Sequence, residues 1–300
     1  MHWWPTSGRG SSAVTDPAVP TWRELLVRAT GRLGSEGEAR RLVERASGND
    51  GTAYLLGLDQ TAPARALPFF DELVERRAAG EPLQYVLGQW GFRRLDLYLD
   101  RRVLIPRPET EMVVQVALAE LARPPRTPTV VDLGTGSGAI ALSIALEAPA
   151  SRVWGTESSP DALAVARANL TGLGTLAGPR VRLVEGSWFD PLPPLLAGHV
   201  DLVVSNPPYV ADGEVLPPEV QEWEPAAALR AGPTGLEDVE SIVAQAGLWL
   251  ARPGALVVEI APHQAAEAAA LARDAGFDEV EVRLDLCDRE RILLARQGPR

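Results

Sequence analysis

The sequence contains no lysine; all 29 of its strong bases are arginine. That absence removes Schiff-base chemistry and the lysine of a phosphate-binding P-loop. Cysteine occurs once, at Cys287, which excludes an internal disulfide and fits a reducing compartment. The only histidines are His2, His199 and His263, far apart in the chain, so no histidine/cysteine metal site is expected. No apolar run reaches the length of a membrane span, and residues 1–20 lack the apolar core of a signal peptide. The Ser/Gly/Pro content of 1–20 reads as a flexible tail, and cytoplasm is the expected location. A basic balance is also missing. The net charge of −11 argues against a dedicated nucleic-acid binder, which would usually show a basic face.

What is present is enough apolar material, 46% of 300 residues, for a large domain and a smaller one. The smaller reads as helical over 21–87. Thr21-Trp22-Arg23-Glu24 and Ser35-Glu36-Gly37-Glu38 both match the capping box, in which each end of the motif satisfies an orphan N–H. Gly48 is placed as a helix stop, and Leu67, Phe70, Leu73 and Val74 recur at helical spacing up to Gly80. Between 88 and 107 the period shortens to two at Leu95, Leu97 and Leu99. With Asp100-Arg101-Arg102 as a turn into Val103-Leu104-Ile105, this predicts a β-hairpin linking two domains.

From 108 to 300 strands and helices alternate after a helix over Glu109–Arg123. Strands are expected at Thr129–Leu133, Arg152–Glu157, Arg180–Glu185, Val200–Ser205 and Ala255–Ile260. The intervening helices fall at Ala139–Leu146, Ala162–Leu170, Leu236–Leu250 and Gln264–Ala275. This βαβα order means α/β, a mostly parallel sheet covered on both faces. Two last strands near Glu279–Leu284 and Arg291–Ala295 suit an antiparallel pair at the sheet edge.

Val130-Val131-Asp132-Leu133-Gly134-Thr135-Gly136-Ser137-Gly138-Ala139 is a strand, a glycine-rich turn and a helix start. Glycines permit close backbone approach to a ligand at the carboxyl end of a first strand. Gly134-x-Gly136-x-x-Ala139 also satisfies a dinucleotide pattern, and Glu157, ending the next strand, suits ribose hydroxyls in either case. Asp132 opposes a phosphate and favours a positively charged ligand, which tips the choice toward S-adenosylmethionine.

The fourth strand ends in Ser205-Asn206-Pro207-Pro208-Tyr209-Val210, and its end borders the same crevice. Asn206 carries an acceptor and a donor and is held extended by the following proline. Pro207 and Pro208 have no N–H, so the turn is stiff and presents carbonyl oxygens. Tyr209 supplies a flat face for a planar amide or a base. The Asn206 side chain and the Pro207 carbonyl could together hold both hydrogens of a planar –NH₂ and aim its nitrogen at a methyl donor. That is catalysis by positioning, and the methylated nitrogen then loses a proton to water.

Asn-Pro-Pro-Tyr after a strand resembles the motif of class I methyltransferases acting on glutamine amides or on the adenine exocyclic amine. From about Thr21 onward the chain resembles the release-factor glutamine methyltransferases, the HemK/PrmC family. The resemblance runs through Gly80–Tyr85, Leu104–Glu111, Asp132–Gly138, Glu157–Ala162, Trp188-Phe189, Glu224-Pro225 and Asp288–Arg291. Ser187 stands where that family often has aspartate, and Glu259-Ile260-Ala261 replaces a glycine-ended version. The resemblance implies a Rossmann-like, seven-stranded class I sheet behind a small helical domain. It implies S-adenosylmethionine contacts at Gly134, Thr135, Gly136, Ser137, Gly138, Glu157, Trp188 and Asn206, beside the Asp132 already noted. Catalytic contacts fall at Asn206, Pro207, Pro208 and Tyr209. The implied reaction methylates N5 of the glutamine in the Gly-Gly-Gln loop of peptide chain release factors, by a monomer without nucleic acid or membrane. Another protein acceptor such as a ribosomal protein, adenine-N6 methylation, or a nucleotide-binding module are the alternatives.

Overall fold

The computed structural model describes residues 19–122 and 127–299; nearly all of the tail expected at 1–20 lies outside the described residues. Backbone contacts divide the chain between Leu83 and Gln84. The first unit holds α1 (Trp22–Leu33), α2 (Glu36–Ser47), α3 (Gly51–Gly57) and α4 (Leu67–Ala78). Its core includes Trp22 packed edge-on against Phe70, with Leu25, Leu42 and Leu73 fully buried around them. The Thr21 capping box forms as read: Thr21 N donates to Glu24 Oε2 at 2.7 Å and Glu24 N to Thr21 Oγ1 at 3.3 Å. At Ser35 only half forms. Glu38 N donates to Ser35, but the Glu38 carboxylate takes both prongs of Arg77 at 2.8 and 3.0 Å instead. A bidentate ion pair outcompetes a bond to one neutral N–H. The short α3 was not foreseen; seven residues give too little periodicity to detect.

The division falls after the first residue of α5 (Leu83–Leu87), and the second unit continues with a hairpin of β1 (Gln89–Phe92) and β2 (Leu95–Tyr98). The hairpin turns at Arg93-Arg94 and not at Asp100–Arg102, so its partner strand lies upstream of Leu95. Val103–Ile105 is irregular, because the Ile105 N–H is satisfied by Glu224 Oε2 at 3.2 Å and needs no strand partner. Phe92, Leu95, Leu97 and Leu99 are buried in the second unit's own core.

After α6 (Pro108–Leu121) come β3 (Thr129–Leu133), α7 (Ala139–Glu147), β4 (Arg152–Glu157), α8 (Pro160–Leu173), β5 (Val181–Glu185) and β6 (Val200–Ser205). Then follow β7 (Val210–Ala211), α9 (Pro218–Trp223), β8 (Arg230–Gly232), α10 (Glu237–Trp249), β9 (Leu250–Glu259), α11 (Ala265–Asp274), β10 (Glu279–Leu284) and β11 (Glu290–Gln297). Seven strands form one sheet in the order β10-β11-β9-β6-β3-β4-β5. The five strands from β9 to β5 run parallel, and β11 is antiparallel to both β9 and β10. Side chains of α6, α7 and α8 cover one face and those of α10 and α11 the other, which is why the central strands are apolar on both sides. β7 and β8 form a separate parallel pair, too short for any sequence pattern. Among the described residues, no helix is long and apolar enough to cross a membrane.

Candidate active site

The site lies at the carboxyl ends of β3, β4 and β6, where the chain reverses direction across the sheet. Leu133 and Ser205 are register partners on neighbouring strands, and Ser205 Oγ donates to the Leu133 carbonyl at 2.8 Å. The glycine loop and the proline turn therefore begin at the same level, one residue beyond that tie. A cleft of about 320 Å³ opens above them, lined among others by Gly134, Glu157, Trp188, Asn206 and Pro208. A second cavity of about 330 Å³ holds Pro207, Tyr209, His263 and Arg291. Asn206 belongs to both walls. The four residues of the turn thus divide: Pro208 faces the first cavity, Pro207 and Tyr209 the second, and Asn206 both.

Gly134, Gly136 and Gly138 have φ of 67°, 55° and 86°, a region costly for other residues. A Cβ at Gly134 would sit 3.3 Å from the Trp188 ring, tighter than an ordinary contact, so a side chain there would push the indole away from the loop. Trp188 itself has φ 43°, a strained value that aims its ring into the cleft. Glu157 accepts from Gly136 N through Oε2 and from Ser159 N through Oε1, both at 2.9 Å. Each oxygen keeps a second lone pair, enough for two vicinal hydroxyls. Thr135 and Ser137 line the cleft, but the Thr135 hydroxyl is already given to Asp132. Asn169 Nδ2 donates to the Ser137 carbonyl at 2.8 Å and to that of Tyr98 at 3.1 Å, pinning the loop to β2.

Two of the expected contact residues, Asp132 and Gly138, do not line the cleft. Asp132 points away from the cleft into the α7 side of the core, fully buried, where Oδ2 accepts from Thr135 Oγ1 at 2.6 Å and Ala141 N at 3.1 Å. Burial pushes its carboxyl up to about 7 against those two bonds. It fastens the loop to the helix start and does not line the cleft. Gly138 caps α7, and a Cβ there would meet Leu142 at 3.0 Å, so its glycine is set by packing. The acidic character sought in Asp132 is supplied by Glu157 and by Asp238, whose carboxyl burial raises to about 6. Among the described residues two carboxylates and one cation, Arg102, line the cleft, a balance that suits a cationic ligand without phosphate.

Sequence reasoning missed the residues that hold the turn. Asn206 Nδ2 donates to Thr110 Oγ1 at 3.2 Å, and Thr110 Oγ1 donates to Glu259 Oε2 at 2.7 Å. Asn206 Oδ1 is buried and has no partner among the described residues. Burial drives the Glu259 carboxyl up to about 7; Thr110, Arg291 and Tyr209 oppose that rise and Glu109 adds to it. Gln264 Nε2 bonds the carbonyls of Tyr209 at 3.0 Å and Gly235 at 2.9 Å. Arg107 pairs with Glu224, and so joins residues 103–106 to 225–228, the outer wall of the cleft. A signal for Glu259 existed: a carboxylate inside the apolar run Leu256-Val257-Val258 must find partners when buried. Burial also pushes the Tyr209 phenol up to about 12, so near neutrality it is an un-ionised ring and no base.

The sheet order, the glycine loop beneath Trp188 and the proline turn define a class I S-adenosylmethionine-dependent methyltransferase. Models of the PrmC N-terminal domain and of the methyltransferase small domain match residues 22–88 and 111–228. The release factor glutamine methyltransferase of Deinococcus radiodurans is 42% identical over 287 residues, 92% of this chain and 98% of that one; its counterpart in Geobacter sulfurreducens is 38% identical over 290 residues, 94% and 99% respectively. The chain belongs to the family of release factor glutamine methyltransferases. In fold alone it also resembles the solved hMettl16 catalytic domain in complex with MAT2A 3'UTR hairpin 1, with a TM-score of 0.55 at 17% identity over 76% of this chain and 80% of that one.

Proposed function

We propose that the protein methylates the side-chain amide nitrogen of the glutamine in the Gly-Gly-Gln motif of a peptide chain release factor. Bound S-adenosylmethionine would supply a methyl group made electrophilic by its sulfonium. Gly134, Gly136, Glu157 and Trp188 are the residues assigned to hold it. The observation that carries the reading is Asn206 Oδ1: buried, unpartnered, and in the wall shared by both cavities. A buried acceptor left open is costly, so its position calls for a donor from the ligand. A primary amide brings two such hydrogens.

Asn206 Oδ1 accepts one of them and the Pro207 carbonyl the other, which fixes the nitrogen and draws electron density toward it. Tyr209 offers its ring to the planar amide. No side chain here needs to act as a strong base, because the nitrogen becomes acidic only once methylated and then releases its proton to water. The first unit is assigned to holding the protein partner, in keeping with its match to the PrmC N-terminal domain.

The test is incubation of the full chain with S-adenosylmethionine and a release factor, followed by peptide mass mapping. One added methyl on the loop glutamine is expected. Transfer to a different protein, with none to the release factor, would overturn the choice of acceptor.

A further inference from the structure

The three residues of the Asn206 contact come from distant parts of the chain: Thr110 opens α6, 96 residues before Asn206, and Glu259 ends β9, 149 residues after Thr110. A threonine hydroxyl has one hydrogen and two lone pairs. Here the hydrogen goes to Glu259 Oε2 at 2.7 Å, so Thr110 can offer Asn206 only a lone pair. It takes Nδ2 at 3.2 Å, and the planar amide must then present Oδ1 on its other edge. That edge is the buried, open acceptor. Turned over, the amide would set Oδ1 against the Thr110 lone pairs and face the substrate with a donor, which cannot hold an –NH₂.

Resting on the reading of the protein as an amide methyltransferase, we infer that Thr110 and Glu259 are positioning residues that fix the sense of the Asn206 amide. Thr110 stands in the cleft wall with its hydroxyl taken by Glu259 and Asn206, and Glu259 lines neither cavity. In its ionised form Glu259 closes the relay because a carboxylate only accepts. A group able to donate there would free the Thr110 hydrogen for Asn206 Oδ1 and reverse the chain of bonds.

The experiment compares wild type with Thr110→Val and Thr110→Ser, measuring steady-state methylation of a release factor, S-adenosylmethionine affinity by calorimetry and melting temperature. Thr110→Val is expected to lower kcat by ~10- to 100-fold, the usual loss when an outer partner of a working residue is removed, with cofactor affinity and melting little changed. Thr110→Ser keeps the hydroxyl and is expected to restore most of the rate. In an Asn206→Ala background, Thr110→Val should cost nothing more. A Thr110→Val rate within about twofold of wild type, or a Thr110→Ser rate as low as Thr110→Val, overturns the proposal.

A second readout does not depend on the acceptor. The chain has three asparagines, Asn49, Asn169 and Asn206, so asparagine-selective ¹⁵N labelling gives three side-chain amide signals. The Asn206 signal should be protected from exchange in wild type and exposed in Thr110→Val, while that of Asn169 stays unchanged. An Asn206 signal indifferent to Thr110→Val refutes the relay even if wild type fails to methylate a release factor. Failed methylation with the expected signals refutes only the choice of substrate.

Discussion

The two walls of the cleft start from adjacent residues of the sheet and are built on opposite principles. The loop after β3 works by leaving side chains out: Gly134 and Gly136, at positive φ, leave bare backbone in the cleft wall, and Trp188 fills the space above. The turn after β6 works by stiffness: two prolines fix the main chain and a relay of side chains fixes one amide. Loop geometry is secured from nearer in the chain, by Asp132 three residues from Thr135 and nine from Ala141, Glu157 21 from Gly136 and Asn169 32 from Ser137. Turn geometry is secured at long range, through Thr110, Glu259 and Gln264. Binding a large cofactor needs room and many weak contacts, whereas aiming one nitrogen needs a single dipole that cannot rotate. The walls should therefore fail in different ways.

The sharpest separation is expected from Asn206→Ala. It removes the open acceptor and leaves the loop intact, so turnover should fall on the order of 10³-fold, the scale for losing one preorganised polar contact to the reacting group. Cofactor affinity should change by less than about tenfold, one hydrogen bond's worth. Rate and calorimetric affinity measured on the same sample check both, and a near-wild-type rate would remove Asn206 from the chemistry. Gly134→Val is the mirror experiment. Its side chain would press on Trp188 and sit at φ 67°, so cofactor affinity should weaken by roughly 30-fold, about 2 kcal/mol of strain. With saturating cofactor its kcat should stay near wild type. A collapsed kcat with affinity intact would mean that the loop also aims the methyl group.

The same contrast decides what could be read from sequence. The sheet was legible because the period switches from two to 3.6 repeatedly, and its strands match the expected ones within a few residues, β9 apart. The loop was legible as a site because glycine at three alternate positions has few structural uses. The role of Asp132 was not: spacing put it beside the ligand, but the pleat turns it toward α7, and alternation along a strand whose two faces are both apolar gives no sign of direction. In the turn, Asn206 stood out through its prolines, while Thr110 was hidden in an ordinary helix start, Pro108-Glu109-Thr110-Glu111. Its contacts span 96 and 149 residues, and one sequence carries no record of such pairings.

Asp132 yields a prediction of stability and not of rate. Its carboxyl rises from 3.8 to about 7 on folding, so the folded state holds a proton that the unfolded chain releases. The stabilisation is full below about pH 4 and is lost as pH rises through 7. Glu259 titrates in the same sense, from 4.5 to about 7. Asp132→Asn can keep both bonds, since one oxygen, Oδ2, accepts from Thr135 and Ala141 while Oδ1 has no partner among the described residues. Melting measured from pH 5 to 8 should show a shallower decline in the variant, and a higher melting temperature than wild type at pH 8. Cofactor affinity should shift by less than about tenfold. A larger loss would return Asp132 to the ligand.

The smallest effect is expected at Tyr209, and it tests the relay against its nearest imitation. Two hydroxyls favour the ionised form of Glu259, those of Thr110 and Tyr209. Only Thr110 also receives Asn206 Nδ2. Tyr209→Phe keeps the ring beneath Arg291, which lies 5.9 Å from its centroid, and deletes one hydroxyl that burial keeps un-ionised near neutrality. The rate should fall by no more than about tenfold, the worth of one hydrogen bond of about 1 kcal/mol. If Glu259 mattered merely as a buried charge wanting any donor, the two hydroxyl deletions would cost alike. If its purpose is to fix the Asn206 amide, Thr110→Val must cost clearly more than Tyr209→Phe, and equal losses would dissolve the distinction between a wall that binds and a wall that aims.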